Sequence, residues 1–196
     1  MKITQTQALD SFIAAYPPDS PYRSFTDYDE KRLKGRLPPI ILSLAKHFNF
    51  CSFDDGLLWL CDPDDWADVA SPWLLPGRGK ADILARTSFG DFVVVRQKQY
   101  WLVLPHSAMR IRLSDDPNWI FGMTMVRRGY DDLAVLQAEH VRARKQVGEI
   151  DWQKIYNYAP SLALGGSRKS SAIAADDMVV ALDIMSQLTP VTGLDD

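Results

Sequence analysis

Residues 81–113, ADILARTSFGDFVVVRQKQYWLVLPHSAMRIRL, decide the fold. Four strand-like runs lie within them: Asp82 to Ser88, Asp91 to Gln97, Tyr100 to Leu104 and Met109 to Leu113. Phe92-Val93-Val94-Val95 and Tyr100-Trp101-Leu102-Val103-Leu104 consist mainly of β-branched and aromatic residues, which suit a pleated surface. The links between runs are only two to four residues long. A parallel neighbour needs a crossover of about a dozen residues or more, so the runs are predicted to form an antiparallel meander.

Helices are expected on both sides of this core. Upstream, Leu9, Phe12, Ile13 and Tyr16 share one stripe of a helix from about Thr4 to Tyr16, which Pro17-Pro18-Asp19-Ser20-Pro21 stops. The polar connector that follows, through Arg23, Lys31, Arg32, Lys34 and Arg36, reads as surface chain with one helical turn. Leu37-Pro38-Pro39 opens a second helix with Ile40, Ile41, Leu44 and Phe48 on its apolar face. Asp54-Asp55-Gly56 is a turn into the strand Leu57–Leu60. Asp62-Pro63-Asp64-Asp65 is a helix start in which Asp62 caps, and the helix should end near Leu75.

Downstream, Asp116-Pro117 repeats the cap-plus-proline device, and a longer helix should span roughly Asp132 to Val147 before Gly148. Ile155 to Tyr158 reads as a short strand and Leu162 to Ser171 as a loop. The last helix runs from about Asp176 to Leu188, and the tail after Pro190 should fray. The fold class is therefore α+β: an antiparallel β-meander sheet packed against several helices. Residues 1–196 are read as a single domain, with an N-terminal helix and connector (1–36), a core (37–126) and a C-terminal helical portion (127–190).

Composition agrees with a globular chain. Of 196 residues, 46% are hydrophobic and 24% charged, which excludes wholesale disorder. A chain this long should bury roughly 70% of its unfolded surface, so it needs no metal or disulfide staple. Cys51 and Cys61 are too few for a disulfide framework and form no CxxC pair. No apolar run approaches about 18 residues, which argues against a membrane span, and Met1-Lys2-Ile3-Thr4-Gln5 lacks the apolar segment of a signal peptide. The cytoplasm is the expected compartment.

The formal charge of −3 disfavours a general nucleic-acid binder. From Phe48 to Gly77 there is no Lys or Arg but six aspartates: Asp54, Asp55, Asp62, Asp64, Asp65 and Asp68. That run carries −6 along the chain. Aspartate also caps helices and turns, a role that competes with any functional one, above all for Asp62 and Asp64.

Motifs for chemistry are sparse. His47, His106 and His140 are far apart, with no HExxH, so no zinc site is expected. His140 shares a stripe with Leu133 and Leu136 and reads as a satisfied histidine at the core's edge. Ser43-Leu44-Ala45-Lys46 fits SxxK but lacks the companion SDN and KTG motifs. Neither Gly165-Gly166-Ser167-Arg168-Lys169-Ser170 nor Pro76-Gly77-Arg78-Gly79-Lys80 has the spacing of a phosphate loop. Asp64, Asp65 and Asp68 have helical spacing, yet no calcium-loop pattern accompanies them. Asp115-Asp116 is an acid pair at a helix start, where capping suffices. No catalytic residue, metal or cofactor is expected.

Four stretches together resemble a known family: LPPIILSLAKHF from Leu37, FDDGLLWLCDPDDWADVASPWL from Phe53, ADILARTSFGDFVVV from Ala81, and IYNYAPSLALGG from Ile155. They are similar to the GAD-like domain and to the C-terminal segment that accompanies it in immunity proteins against type VI secretion DNase effectors. The resemblance covers roughly Leu37 to Leu188, so residues 37–126 correspond to the GAD-like core. It implies a non-catalytic antitoxin whose partner is a cognate nuclease toxin.

A nuclease cleft is basic because it holds phosphates, and clustered carboxylates on an inhibitor complement it and speed encounter. The candidate partner-binding residues are accordingly Asp54, Asp55, Asp64, Asp65 and Asp68, with Trp66 as an aromatic anchor. Trp73 is a second candidate anchor. An alternative role, in DNA binding or transcriptional autoregulation, would use Arg142, Arg144, Lys145, Arg168 and Lys169, with Arg127 and Arg128 nearby.

Overall fold

The computed structural model describes residues 3–73, 81–125, 131–169, 172–188 and 192–193. The meander is present where the sequence places it: β4 (Asp82–Thr87), β5 (Phe92–Arg96), β6 (Gln99–Leu104) and β7 (Met109–Arg112). It extends upstream through β1 (Pro18–Arg23), β2 (Phe50–Phe53) and β3 (Leu58–Leu60). These seven strands lie side by side in chain order, each antiparallel to the next. The two-residue β10 (Thr192–Gly193) pairs parallel with β7. A separate antiparallel hairpin joins β8 (Lys154–Ala159) to β9 (Ala172–Asp177).

Both sheet faces are buried, which explains the unbroken apolar run at Phe92–Val95. Val93 enters one hydrophobic cluster, while Phe92 and Val94 enter another. On β6, Tyr100 faces the first and Trp101 and Val103 the second, as a period of two requires. The first cluster is covered by α1 (Gln5–Ala15), α3 (Pro39–Phe48) and α6 (Asp131–Val147). α5 (Pro117–Trp119), with the π-turn Ile120–Thr124 that continues it, covers the same cluster. The second cluster is covered by α4 (Ala67–Ala70), the short turn Ser71–Trp73 and α7 (Met178–Leu188).

Local sequence explains the helix ends. Thr4 forms a capping box with Gln7, Pro39 sits in the first turn of α3, and Asp116 accepts from the Asn118 N–H at 2.9 Å. At the α1–π-turn crossing, a Cβ on Gly122 would lie 2.5 Å from Ala8 Cα. Glycine lets the backbones approach and seats Phe12 against Phe53 and Phe121, with ring centroids 5.2 and 5.9 Å apart.

Four expectations are revised. The proline-rich stretch after α1 is strand β1, paired to β2, and not a simple stop. The polar connector contains α2 (Asp27–Leu33), a seven-residue helix with its own Thr26–Asp29 capping box. The last helix begins at Met178 because the preceding residues form β9. Asp62-Pro63-Asp64-Asp65 folds as turns, with Asp62 Oδ1 accepting from the Asp64 N–H at 3.1 Å, and helix begins only at Ala67. The end of that segment near Leu75, the glycine turn 76–80 and most of the tail lie outside the described residues.

Candidate functional site

The acidic run meets its counter-charges in space. Asp62 is buried and accepts from Arg23 and from Arg32, the latter at 2.5 and 3.0 Å. Arg32 also bonds Asp29 at 2.8 Å and Asp64. Arg36 bridges Asp64 at 2.7 Å and Asp82 at 2.6 Å. Three connector arginines thus alternate with four aspartates, tying α2 to the DPDD turn and β4. Burial disfavours the Asp29 anion, but bonds from Arg32, Thr26 and Arg23 outweigh this and hold its carboxyl well below the usual range. Arg36 and Arg32 likewise outweigh partial desolvation and lower Asp64.

The six candidate partner-binding residues are therefore not equivalent. Asp64 is half-exposed and paired with both Arg32 and Arg36 of the cluster. Asp55 is exposed but pairs with Arg144 at 3.0 Å, and Asp54 accepts from Gln137 Nε2 at 3.0 Å. Asp54, Asp55 and Gly56 all have positive φ (53°, 59° and 86°) and make a left-handed turn held by Asp19, which accepts from the Asp55 and Gly56 N–H groups. Trp66 is a correction: it is 4% exposed and packs edge-to-face on Trp152, so it is core and offers no anchor. Trp73 is fully buried in the same cluster. Asp65 and Asp68 remain exposed with no ion pair to a described residue. Partial desolvation and the nearby Asp62 charge raise the Asp65 carboxyl.

The other chemical candidates are occupied structurally. Ser43 accepts from Gln5 at 2.6 Å, and Lys46 pairs with Glu30 at 2.5 Å. Asp115 pairs with Arg112 at 3.2 Å. Arg142 donates to the Arg168 carbonyl at 2.6 Å, Arg144 pairs with Asp55 and Glu149, and Arg168 pairs with Glu139 at 2.6 Å. Of the basic set, Lys145 and Lys169 are exposed, and Arg127 and Arg128 lie outside the described residues. Burial pushes both cysteine thiols up to about 12.

The RTSFGD segment is a junction. Buried Arg86 lies over the Trp59 ring and donates to the Thr87 and Trp152 carbonyls at 3.1 and 2.7 Å. Loss of hydration lowers it to about 10. Thr87 Oγ1 accepts from the N–H groups of Phe89 and Asp91, closing the turn at Gly90, where φ is +79°. Ser88 joins three elements: its N–H donates to the Leu57 carbonyl, its carbonyl accepts from Tyr156, and its hydroxyl meets His140 Nδ1 at 2.9 Å. His140 also reaches the Asp55 carbonyl at 3.2 Å through Nε2, the satisfied core-edge role expected of it.

A cavity of about 290 Å³ lies between the meander and the π-turn, lined by Leu102, Ile111, Ile120, Met125, Leu136 and Tyr158 among others. Two arginines line it: Arg168 is paired with Glu139, and Arg86 is held by the Thr87 and Trp152 backbone carbonyls. Its histidine, His106, is held neutral by burial and by Arg168, which lower it to about 4.

A family model described as the GAD-like domain matches residues 7–105, half of the chain. The chain belongs to the GAD-like family. The match takes in most of α1, the arginine-bearing connector, the DPDD turn and the RTSFGD junction, so the GAD-like pattern begins well before Leu37. Among solved structures, this GAD-like protein is similar to Atu4351 from Agrobacterium tumefaciens: the TM-score is 0.68 at 17% identity, over 94% of this chain and 90% of that one. At that identity the likeness concerns the fold. No curated protein matches the sequence. Among the described residues, no helix is long and apolar enough to cross a membrane, and no group of three His, Cys, Asp or Glu side chains is arranged to hold a metal.

The arginine cluster is what sequence reasoning missed. Its signal was present: a connector rich in arginine precedes a run with no cation. Asp29 is local to its arginines, but Arg32 and Arg36 lie 28 to 46 residues from Asp62, Asp64 and Asp82, beyond any local pattern.

Proposed function

We propose that this GAD-like protein is an immunity protein that binds a cognate type VI secretion DNase effector and neutralises it in a stoichiometric complex in the cytoplasm, without catalysis of its own. One observation carries the reading. The family-bearing segments, RTSFGD and DPDD, use their polar side chains to lock the fold together, as does YNYAPSLALGG through Tyr156 and Tyr158, so recognition falls to the exposed surface. That surface belongs to an acidic chain and faces a partner whose DNA cleft must be basic. The DNA-binding alternative has less support, because Arg142, Arg144 and Arg168 are engaged within the protein.

The test is rescue. Cells expressing the nuclease encoded by the adjacent reading frame should resume growth when this chain is co-expressed, and a complex of fixed stoichiometry should be recovered from them. Continued arrest with abundant folded chain, or no recoverable complex, would refute the proposal.

A further inference from the structure

Helix α7 is apolar on both faces. Met178, Ala181, Leu182 and Met185 are buried in the second cluster. On the opposite side Val180, Ile184 and Leu188 recur at helical spacing, joined by Val179, and these four are 47–56% exposed. An aligned apolar stripe of this kind, unlike scattered exposed residues, marks an interaction surface.

The charges around it select the partner. From Ser170 to Asp196 the sequence holds five aspartates and no Lys, Arg or His. Three of them flank the stripe. Asp176 accepts from Asn157 at 2.9 Å, Asp177 from the Val180 N–H at 3.0 Å, and Asp183 from Gln187 at 2.9 Å. None makes an ion pair with a described residue. α7 also packs against α4, which bears exposed Asp68, so one of the two unpaired acids of the earlier run sits on the adjoining helix. A membrane-surface helix is rimmed by Lys and Arg, whereas α7 carries neither and the β8–β9 hairpin brings a single cation, Lys154, opposite Asp177. A second copy would set aspartates against aspartates, and nucleic acid would be repelled in the same way. A basic protein with an apolar centre is the complement.

We infer that the α7 stripe of Val180, Ile184 and Leu188, flanked by Asp183 and adjoined by Asp68, is the face on which the basic nuclease docks. This rests on the immunity reading and deepens it by moving the contact surface from the Asp54–Asp64 segment, whose charges are largely paired, to α7 and its neighbour.

The experiment uses the full chain and a catalytically inactive variant of the nuclease from the adjacent reading frame, with association followed by surface plasmon resonance at two salt concentrations. Ile184→Asp and Val180→Asp alter exposed positions and should leave the thermal melt intact while weakening binding at least 100-fold. Should either melt lower, Ile184→Ser and Val180→Ser serve the same purpose and should weaken binding at least tenfold. Asp183→Lys combined with Asp68→Lys should lower the association rate and flatten its salt dependence. Val141→Asp, at an exposed apolar position on α6, should bind as wild type. If wild type binds and the stripe variants bind within threefold of it, α7 is not the docking face and the immunity reading stands. If wild type itself does not bind, the immunity reading fails and this inference with it. A wild-type dimer that Ile184→Asp turns into monomer would assign the stripe to a second copy and overturn the inference.

Discussion

Replacing Arg32 with Met removes one guanidinium from the arginine–aspartate cluster and keeps most of the aliphatic stem. Asp29 and Asp62, 2% and 3% exposed, then face each other with only Arg23 between them, and Arg23 is itself about one-third exposed. Breaking a buried ion pair from one side costs roughly 3–5 kcal/mol, and the remaining arginine argues for the lower end, about 3 kcal/mol. For a chain of this length that is a fall in Tm of about 6–12 °C. Thermal and urea melts at pH 7 measure it.

The pH dependence distinguishes charge from packing. The folded-state pKa of Asp29 is depressed, so its contribution is complete above about pH 4 and fades as pH falls further. Wild type loses that contribution in acid, whereas Arg32→Met has already lost part of it. The two stability curves should therefore converge below about pH 4, and adding Asp62→Asn to the variant should recover stability at neutral pH. A penalty under about 0.5 kcal/mol, or a gap that stays constant into acid, would refute the electrostatic account.

Three more outcomes are expected. Gly122→Ala should destabilise by about 2 kcal/mol or more in a urea melt, since its methyl would overlap the Ala8 backbone. Cys51 and Cys61 should resist a thiol reagent at pH 8 until urea unfolds the chain, because both are buried and their thiols are raised to about 12. His106 binds its proton less readily when folded, so between about pH 6.5 and 4 the unfolded chain gains more protons and stability falls with pH. In His106→Gln that part of the slope should vanish, as pH-dependent denaturation curves would show.

The meander was legible because β-branched and aromatic runs with short links admit few arrangements, and even its turn residues at Gly90 and Gln97-Lys98 fall where the runs break. β1 was obscured by Pro18 and Pro21. Proline suits only an edge strand, and β1 is the sheet's outer strand, a position no local pattern reveals. β9 was obscured by its composition, Ala172 to Asp177 being mostly small residues and aspartate: no strand pattern marks it, and Asp176 reads as the start of the last helix. In the candidate site, Asp68 was visible as an exposed acid, whereas the fate of Asp62 and Asp64 depended on arginines some thirty residues upstream. Trp66 looked like an anchor because burial cannot be read from a single tryptophan beside acids. The stripe on α7 was visible as an apolar helix, but which side the sheet would cover was not.

The bonds made by Ser88 bear on how this protein can be cut. The family pattern ends at residue 105, which invites expression of the first 105 residues as a minimal unit. Such a fragment would strip β6 of β7 and leave its raw edge open to other chains, and it would delete the Tyr156 and His140 partners of Ser88 together with all of α7. Insoluble product from that truncation is the foreseeable result: the boundary at which sequence likeness fades is no seam in the folded molecule.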